Sequence, residues 1–147
     1  MNTLTEKLLA PTTRPAVIED CLRLIDEEVA DKGGLSGVAI KLTYKVVKAV
    51  KPTIMRESVD ALLDDFVKRM EPFYERYQAG GAGGFEKFVS QQAAPMADGL
   101  LGITDDRAGR SKNDTLKGAY KKLRPEGKKH VEAAMPRIGR LLVRHGA

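Results

Sequence analysis

The fold is decided by residues 53–70, TIMRESVDALLDDFVKRM. Their apolar side chains recur at spacings of three and four and form one stripe: Met55, Val59, Leu62, Leu63, Phe66, Val67 and Met70. That period is typical of an amphipathic α-helix. Opposite charges four residues apart, such as Asp64 and Lys68, support the helix on its exposed side. Pro72 is expected to break or kink this helix, which can continue through Tyr77.

Residues 36–51, SGVAIKLTYKVVKAVK, are the one stretch that fits both a strand and a helix. The alternation from Val38 to Val46 is a strand signature. However, the four lysines recur at spacings of four, three and three, which places them on one helical face: Lys41, Lys45, Lys48 and Lys51. No other segment offers a partner strand, and a lone strand leaves its backbone groups unpaired. We therefore predict a helix that begins at a Ser36 cap.

Proline and glycine divide the rest of the chain into helix-length pieces. Helices are predicted over 3–9, 15–32, 85–92, 95–103, 114–123 and 125–145, with a polar loop over 104–112 and a flexible glycine-rich hinge over 80–84. Thr3 and Glu6 have the spacing of a capping box. The chain of 147 residues is long enough for one core. The predicted fold is therefore all-α, a single-domain irregular bundle of six to eight helices over residues 1–147.

Composition limits the compartment and the kind of site. Cys21 is the only cysteine, so an intramolecular disulfide and a multi-cysteine zinc site are excluded. The first residues lack the apolar run of a signal peptide. No stretch approaches the roughly 20 apolar residues of a membrane span. We expect a cytoplasmic protein.

Charge is distributed unevenly along the chain. Residues 105–147 carry a formal charge of +7 and residues 1–104 carry −2. A basic segment on a neutral body suits an anionic partner such as nucleic acid. The candidate polyanion-binding residues are Lys117, Lys121, Lys122, Arg124, Lys128, Lys129, Arg137, Arg140 and Arg144. The same cations are also explained by favourable placement late in a helix and by long side-chain stems that cover apolar surface.

Catalytic and metal-binding patterns are weak. Cys21 lies on the apolar face of its predicted helix, which indicates packing rather than nucleophilic chemistry. His130 and His145 stand among cations, and His145 is expected to fray at the chain end. Glu57, Asp60 and other acidic residues share a face, but the Glu-x-x-His pairs of a di-metal bundle are missing. We expect no enzyme, no cofactor and no metal site.

Three glycines lie inside predicted helices, at Gly118, Gly127 and Gly139. Glycine costs up to about 1 kcal/mol relative to alanine in a helix interior. Their presence indicates close helix crossings or a docking surface for a partner.

Three stretches carry a resemblance to a family: KGGLSGVAIKLTYKVVKAVKP (32–52), VDALLDDFVKRMEPFYERY (59–77) and AYKKLRPEGKKHVEAAMPRIGRLL (119–142). The chain resembles a small all-helical bacterial protein family of unknown function. The resemblance implies a compact helical protein and brings no substrate, cofactor or catalytic residue with it.

Wide apolar stripes without a catalytic constellation favour a non-enzymatic interaction or structural module that can self-associate. The alternative is binding of nucleic acid or another polyanion through the basic C-terminal helices, 113–145. A third hypothesis is an enzyme or small-ligand carrier with a pocket that the sequence does not reveal.

Overall fold

The computed structural model describes residues 3–81 and 83–147, and over them the chain is built from helices. The eight α-helices are α1 (Leu4–Leu9), α2 (Arg14–Asp31), α3 (Gly34–Val50), α4 (Ile54–Gly80), α5 (Phe85–Gln91), α6 (Ala93–Arg110), α7 (Asp114–Leu123) and α8 (Gly127–Arg144). A single 3-10 turn, Arg124–Glu126, joins α7 to α8. The all-α, single-domain prediction is confirmed.

The ambiguous stretch 36–51 is helical, as its lysine spacing predicted. The predicted start at Ser36 is wrong, because α3 begins at Gly34 after an extended Gly33. Gly34 has φ +70°, a conformation that glycine adopts without the strain a side chain would add. By contrast, the predicted cap of α1 is confirmed, since the Thr3 hydroxyl accepts a hydrogen bond from the Glu6 backbone N–H at 3.0 Å.

The helix α4 is the spine of the bundle. It continues through Pro72 to Gly80, so the proline does not end it. Its second half brings Tyr74 and Tyr77 against Phe85 of α5, with ring centroids 4.9 and 5.2 Å apart. Burial of these rings supplies apolar contacts that offset the hydrogen bond lost at the proline. Gly81, Gly83 and Gly84 follow; the predicted hinge also includes residue 82, which lies outside the described residues.

The loop predicted over 104–112 is wrong for most of its length, because α6 runs to Arg110. This polar stretch is the outer face of a helix. Ile103 is buried, and the Thr104 hydroxyl donates to the Leu101 carbonyl at 3.0 Å. Asp106 and Arg110 form an ion pair four residues apart. Because most of residues 104–110 are exposed, this stretch has too few apolar positions to show a helical period in the sequence.

The core lies between α2, α4, α6, α8 and the short helices α1 and α5. Its most deeply buried large side chains are Leu4, Leu8, Val17, Phe85, Val89, Met96 and Met135. The Glu71 carboxylate of α4 accepts backbone hydrogen bonds from Leu4 and Thr5 at 2.8 and 2.9 Å, which fixes the start of α1.

A close crossing of α8 over α5 occurs at Gly139. A Cβ placed there would lie 3.2 Å from the Glu86 Cα and 3.3 Å from its carbonyl oxygen. The expectation of a close crossing is confirmed at this glycine. At Gly118 the surroundings are open within the described chain, so the other alternative, a docking surface, stays a prediction there.

Candidate interaction surfaces

The nine predicted polyanion-binding residues occupy three consecutive elements. Lys117, Lys121 and Lys122 lie on α7, Arg124 lies on the 3-10 turn, and α8 carries the others: Lys128, Lys129, Arg137, Arg140 and Arg144. The tertiary structure divides this set, because some of these cations have acidic partners from the same chain and others do not.

Arg137 lies at the centre of an acidic cluster on α2. Its guanidinium is 2.9 Å from the Glu28 carboxylate and 3.5 Å from that of Glu27, and it also pairs with Asp31. The hydrogen bond from Arg137 holds the pKa of Asp31 below its ordinary value. This cation therefore ties α8 to α2.

The C-terminal residues of α8 are also paired. Arg144 and His145 both contact the Asp20 carboxylate of α2, at 3.3 and 2.7 Å. Although partial burial opposes it, hydrogen bonds from His145 and Arg144 lower the pKa of Asp20. The expectation that His145 frays is wrong: its side chain is 12% exposed, and a residue 125 positions away holds it.

Three more predicted cations have partners. Arg124 makes a two-pronged contact with Asp105 of α6, at 2.8 and 3.1 Å, and its hydrogen bonds lower the pKa of that carboxyl. Lys128 reaches Asp98 at 3.1 Å, and Arg140 lies 3.7 Å from Glu86. Most of the basic α8 surface is therefore neutralised within the chain.

Four predicted residues remain exposed, and over residues 3–81 and 83–147 none of them has an ion pair: Lys117, Lys121, Lys122 and Lys129. Three of these lie on α7, which packs beside α3 and α6. Whether they bind a polyanion stays a prediction.

The outer face of α3 is a surface that sequence reasoning missed. Exposed large hydrophobic residues recur there at spacings of three and four: Leu35, Val38, Leu42, Val46 and Val50. Their exposure ranges from 42% for Val50 to 92% for Leu35. The other exposed large hydrophobic residue on the described chain is Val143 on α8, at 40%. We call these five residues the α3 stripe.

The opposite face of α3 packs on the bundle. Gly37 and Ile40 are buried, and Tyr44 donates a hydrogen bond to Asp26 of α2. The Ser36 hydroxyl lies 3.0 Å from the His130 Nε2 of α8. Burial and the nearby Lys32 lower the pKa of His130. The sequence contained a signal for this exposed surface, because α3 is apolar on two faces. Neighbouring helices in a bundle cover only part of a helix surface, so one of these faces can stay exposed.

Lysines border the α3 stripe on one side. Lys41 and Lys45 are exposed, and in the part of the chain that the structure describes neither forms an ion pair. Lys48 lies over the Tyr44 ring at 4.8 Å, and Lys51 pairs with Glu57. No aspartate or glutamate occurs between Gly34 and Val50. The exposed side of α3 is therefore apolar and positively charged.

The candidate chemical groups are engaged in packing and pairing. Cys21 packs against the core, and burial raises its pKa to about 11, so little thiolate forms near neutral pH. Asp60 and Asp64 hold Arg14, at 2.5 and 3.1 Å. Over residues 3–81 and 83–147, no group of three or more His, Cys, Asp or Glu is placed to hold a metal ion.

Two of the surface depressions on the described part of the chain lie between helices. One, of about 380 Å³, lies between α4 and α6 beside Arg69 and Asp106. The other, of about 450 Å³, lies between α2 and the junction of α3 and α4, beside Arg23 and Tyr44. Both are open to solvent, and both are lined by charged and apolar side chains.

Among the described helices, none combines the length and the apolar character needed to cross a bilayer. Neither the curated proteins nor the solved structures gave a match to this chain. The model of a family of unknown function, DUF6918, matches residues 4–146. That range includes all eight helices, and the sequence therefore belongs to the DUF6918 family.

Proposed function

We propose that this protein is a non-enzymatic interaction module that docks through the outer face of α3. The α3 stripe is the observation that carries the proposal. Contiguous exposed apolar residues are uncommon on proteins that remain free in solution and mark interaction sites. A helix in a bundle needs to bury only one of its sides. Leucine and valine on its exposed side therefore contribute nothing to folding.

The surface is already formed before a partner arrives. Packing against α2, α4 and α7 holds α3 in place, and Tyr44 and Ser36 fasten its inner face by hydrogen bonds. A preformed surface loses little conformational entropy on binding. Covering one leucine or valine of this kind contributes about 1.5–3 kcal/mol when burial is complete. The α3 stripe therefore offers enough apolar surface for a specific contact.

Photo-crosslinking in cells tests this proposal. Leu42 is replaced by benzoylphenylalanine, which attacks neighbouring C–H bonds of proteins and lipids alike. The matched control carries the same replacement at Val143, the exposed hydrophobic residue of α8. We expect adducts at position 42 that are absent at position 143. Equal labelling at the two positions, in folded protein, would contradict docking through α3.

A second candidate function is binding of nucleic acid or another polyanion. Its support is the set of exposed lysines on α7: Lys117, Lys121 and Lys122. We expect any such binding to weaken steeply with salt. Replacement of Lys121 and Lys122 by glutamate should abolish retention of the protein on heparin at low salt. The control Arg137→Gln removes a cation that is already paired within the chain and should change this retention little. No retention of the unaltered protein would exclude this candidate.

The location proposed with these functions is the cytoplasm of a bacterium. The absence of a multi-cysteine framework suits a reducing compartment.

A further inference from the structure

We infer that the outer face of α3 binds the surface of a membrane that contains anionic lipids. This inference rests on the proposed docking function and names the partner for that same surface. Its elements are an exposed apolar stripe, the bordering Lys41 and Lys45, which form no ion pair within the described residues, and a helix that lies on the outside of the bundle.

The shape of the site suits a flat partner. The α3 stripe runs along one side of an exposed helix and is not enclosed in a groove. From Leu35 to Val50 it extends over about 22 Å at the rise of an α-helix. A helix with such a stripe can lie in the plane of a bilayer interface with its apolar side between the headgroups.

The charges suit an anionic surface. Lys41 and Lys45 project beside the α3 stripe, and α3 contains no carboxylate that would repel a phosphate. Helix α7, which packs beside α3, also has exposed lysines at positions 117, 121 and 122. Lysine stems can lie along apolar surface while their ammonium groups reach the headgroups. Each lysine near an anionic bilayer strengthens binding about fivefold.

The kind of cation favours lipid over protein. Protein interfaces are enriched in arginine and aromatic residues and depleted of lysine. The α3 and α7 sequences contain lysine and no arginine. Their two aromatic side chains, Tyr44 and Tyr120, hydrogen-bond inward to Asp26 and Asp105. The exposed face of α3 thus lacks the arginine and aromatic residues in which protein interfaces are enriched.

A second copy of the chain is a poorer occupant of the same face. Two α3 helices that meet through their stripes bring lysines together and supply no carboxylate from either helix. Like charges at a contact oppose association. An anionic lipid surface supplies negative charge beside Lys41 and Lys45.

The absence of tryptophan from the chain allows a direct test. The Leu42→Trp variant carries a single indole on the α3 stripe, and Val143→Trp carries one on α8 as the matched control. Vesicles of phosphatidylcholine alone and of phosphatidylcholine mixed with phosphatidylglycerol are added to each. We expect a blue shift and co-sedimentation for Leu42→Trp with the anionic vesicles only, reversed by high salt, and no shift for Val143→Trp.

Substitutions separate the two contributions to binding. Lys41→Gln with Lys45→Gln should weaken anionic-vesicle binding about 25-fold, from about fivefold per lysine. Leu42→Gln should weaken it about tenfold by removing inserted apolar surface. Lys68→Gln, an exposed lysine of α4, is the matched charge control and should leave binding unchanged. Circular dichroism must show that every variant keeps the helical fold.

Three results would overturn the inference. The first is that the unaltered protein does not bind anionic vesicles. The second is that the tryptophan emission shifts equally at positions 42 and 143. The third is that the indole at position 42 is already buried without vesicles, in a dimer detected by light scattering. If vesicles do not bind but crosslinking at position 42 captures a protein, the docking function stands and the lipid partner is wrong. If both experiments fail, the docking function fails too.

Discussion

Helices α3 and α8 are similar in length and both are basic, but the fold leaves an apolar stripe of α3 exposed and buries the apolar side of α8. Each is an amphipathic helix of 17 or 18 residues with several cations and few acids. The apolar side of α8 is buried against α5 and α6, and most of its cations pair with carboxylates of other helices. The α3 stripe is exposed, and Lys41 and Lys45 stay unpaired over the described residues.

The difference shows that a basic helix indicates a binding surface only when its charges lack partners in the fold. Residues 105–147 carry the largest positive charge in the sequence and are the segment predicted to bind a polyanion. Its arginines act mainly as ties between helices, because a planar guanidinium suits carboxylate pairs. Over the described residues, Lys41 and Lys45 of α3 make no such ties and remain exposed to an outside partner.

The largest expected effect contrasts matched leucines on the two helices. Leu142 of α8 is 4% exposed and Leu42 of α3 is 60% exposed. Leu142→Ala leaves a cavity in the core and should lower the free energy of unfolding by about 2–5 kcal/mol. Leu42→Ala should change it by less than about 0.5 kcal/mol. Urea unfolding measures both, and a large loss at Leu42 would mean that the α3 stripe is covered within the fold.

The next effect concerns the close approach of α8 to α5. Gly139→Val pushes against the Glu86 backbone and should cost about 1–3 kcal/mol of unfolding free energy. Gly118→Ala on α7 has open space and should stabilise the protein by up to about 1 kcal/mol. Thermal unfolding of the two variants shows whether each substitution raises or lowers the stability. Equal effects would show that α8 has no close contact at Gly139.

A smaller effect should separate paired from unpaired cations. Arg137→Gln removes a cation shared by Glu27, Glu28 and Asp31, and the remaining carboxylates repel one another. We expect a lower melting temperature, with the difference reduced by salt. Lys45→Gln on α3 should leave the melting temperature unchanged. If Lys45→Gln proved the more damaging substitution, the assignment of structural and free cations would be reversed.

The smallest effect is a pH dependence where α3 meets α8. The folded state lowers the pKa of His130 below its ordinary 6.5, so the unfolded chain binds the proton more readily. Stability from this histidine is therefore complete above about pH 6.5 and is lost as the pH falls through the folded pKa. His130→Gln should flatten the decline in urea midpoint between about pH 7 and about pH 5. Parallel curves for the two proteins would contradict this.

The sequence predicted a helix correctly where the apolar period was strong, or where the alternative, a lone strand, would leave backbone groups unpaired. Residues 36–51 form a helix for the second reason, and the Thr3 cap follows from a local hydrogen bond. The helical course of residues 104–110 could not be predicted, because its evidence is non-local. Tyr120, on a different helix, contacts Thr104 and Asp105 and anchors that turn.

Local side-chain periodicity by itself determined that this protein is a helical bundle, because a helix satisfies its own backbone and needs only one covered side. Tertiary structure decided which cations are neutralised and which apolar side stays exposed. Asp20 lies 125 residues from His145, and Arg137 is more than 100 residues from its α2 partners. Such pairs have no signature in local spacing, and only the packing of the helices decides which of the two apolar faces of α3 is left exposed.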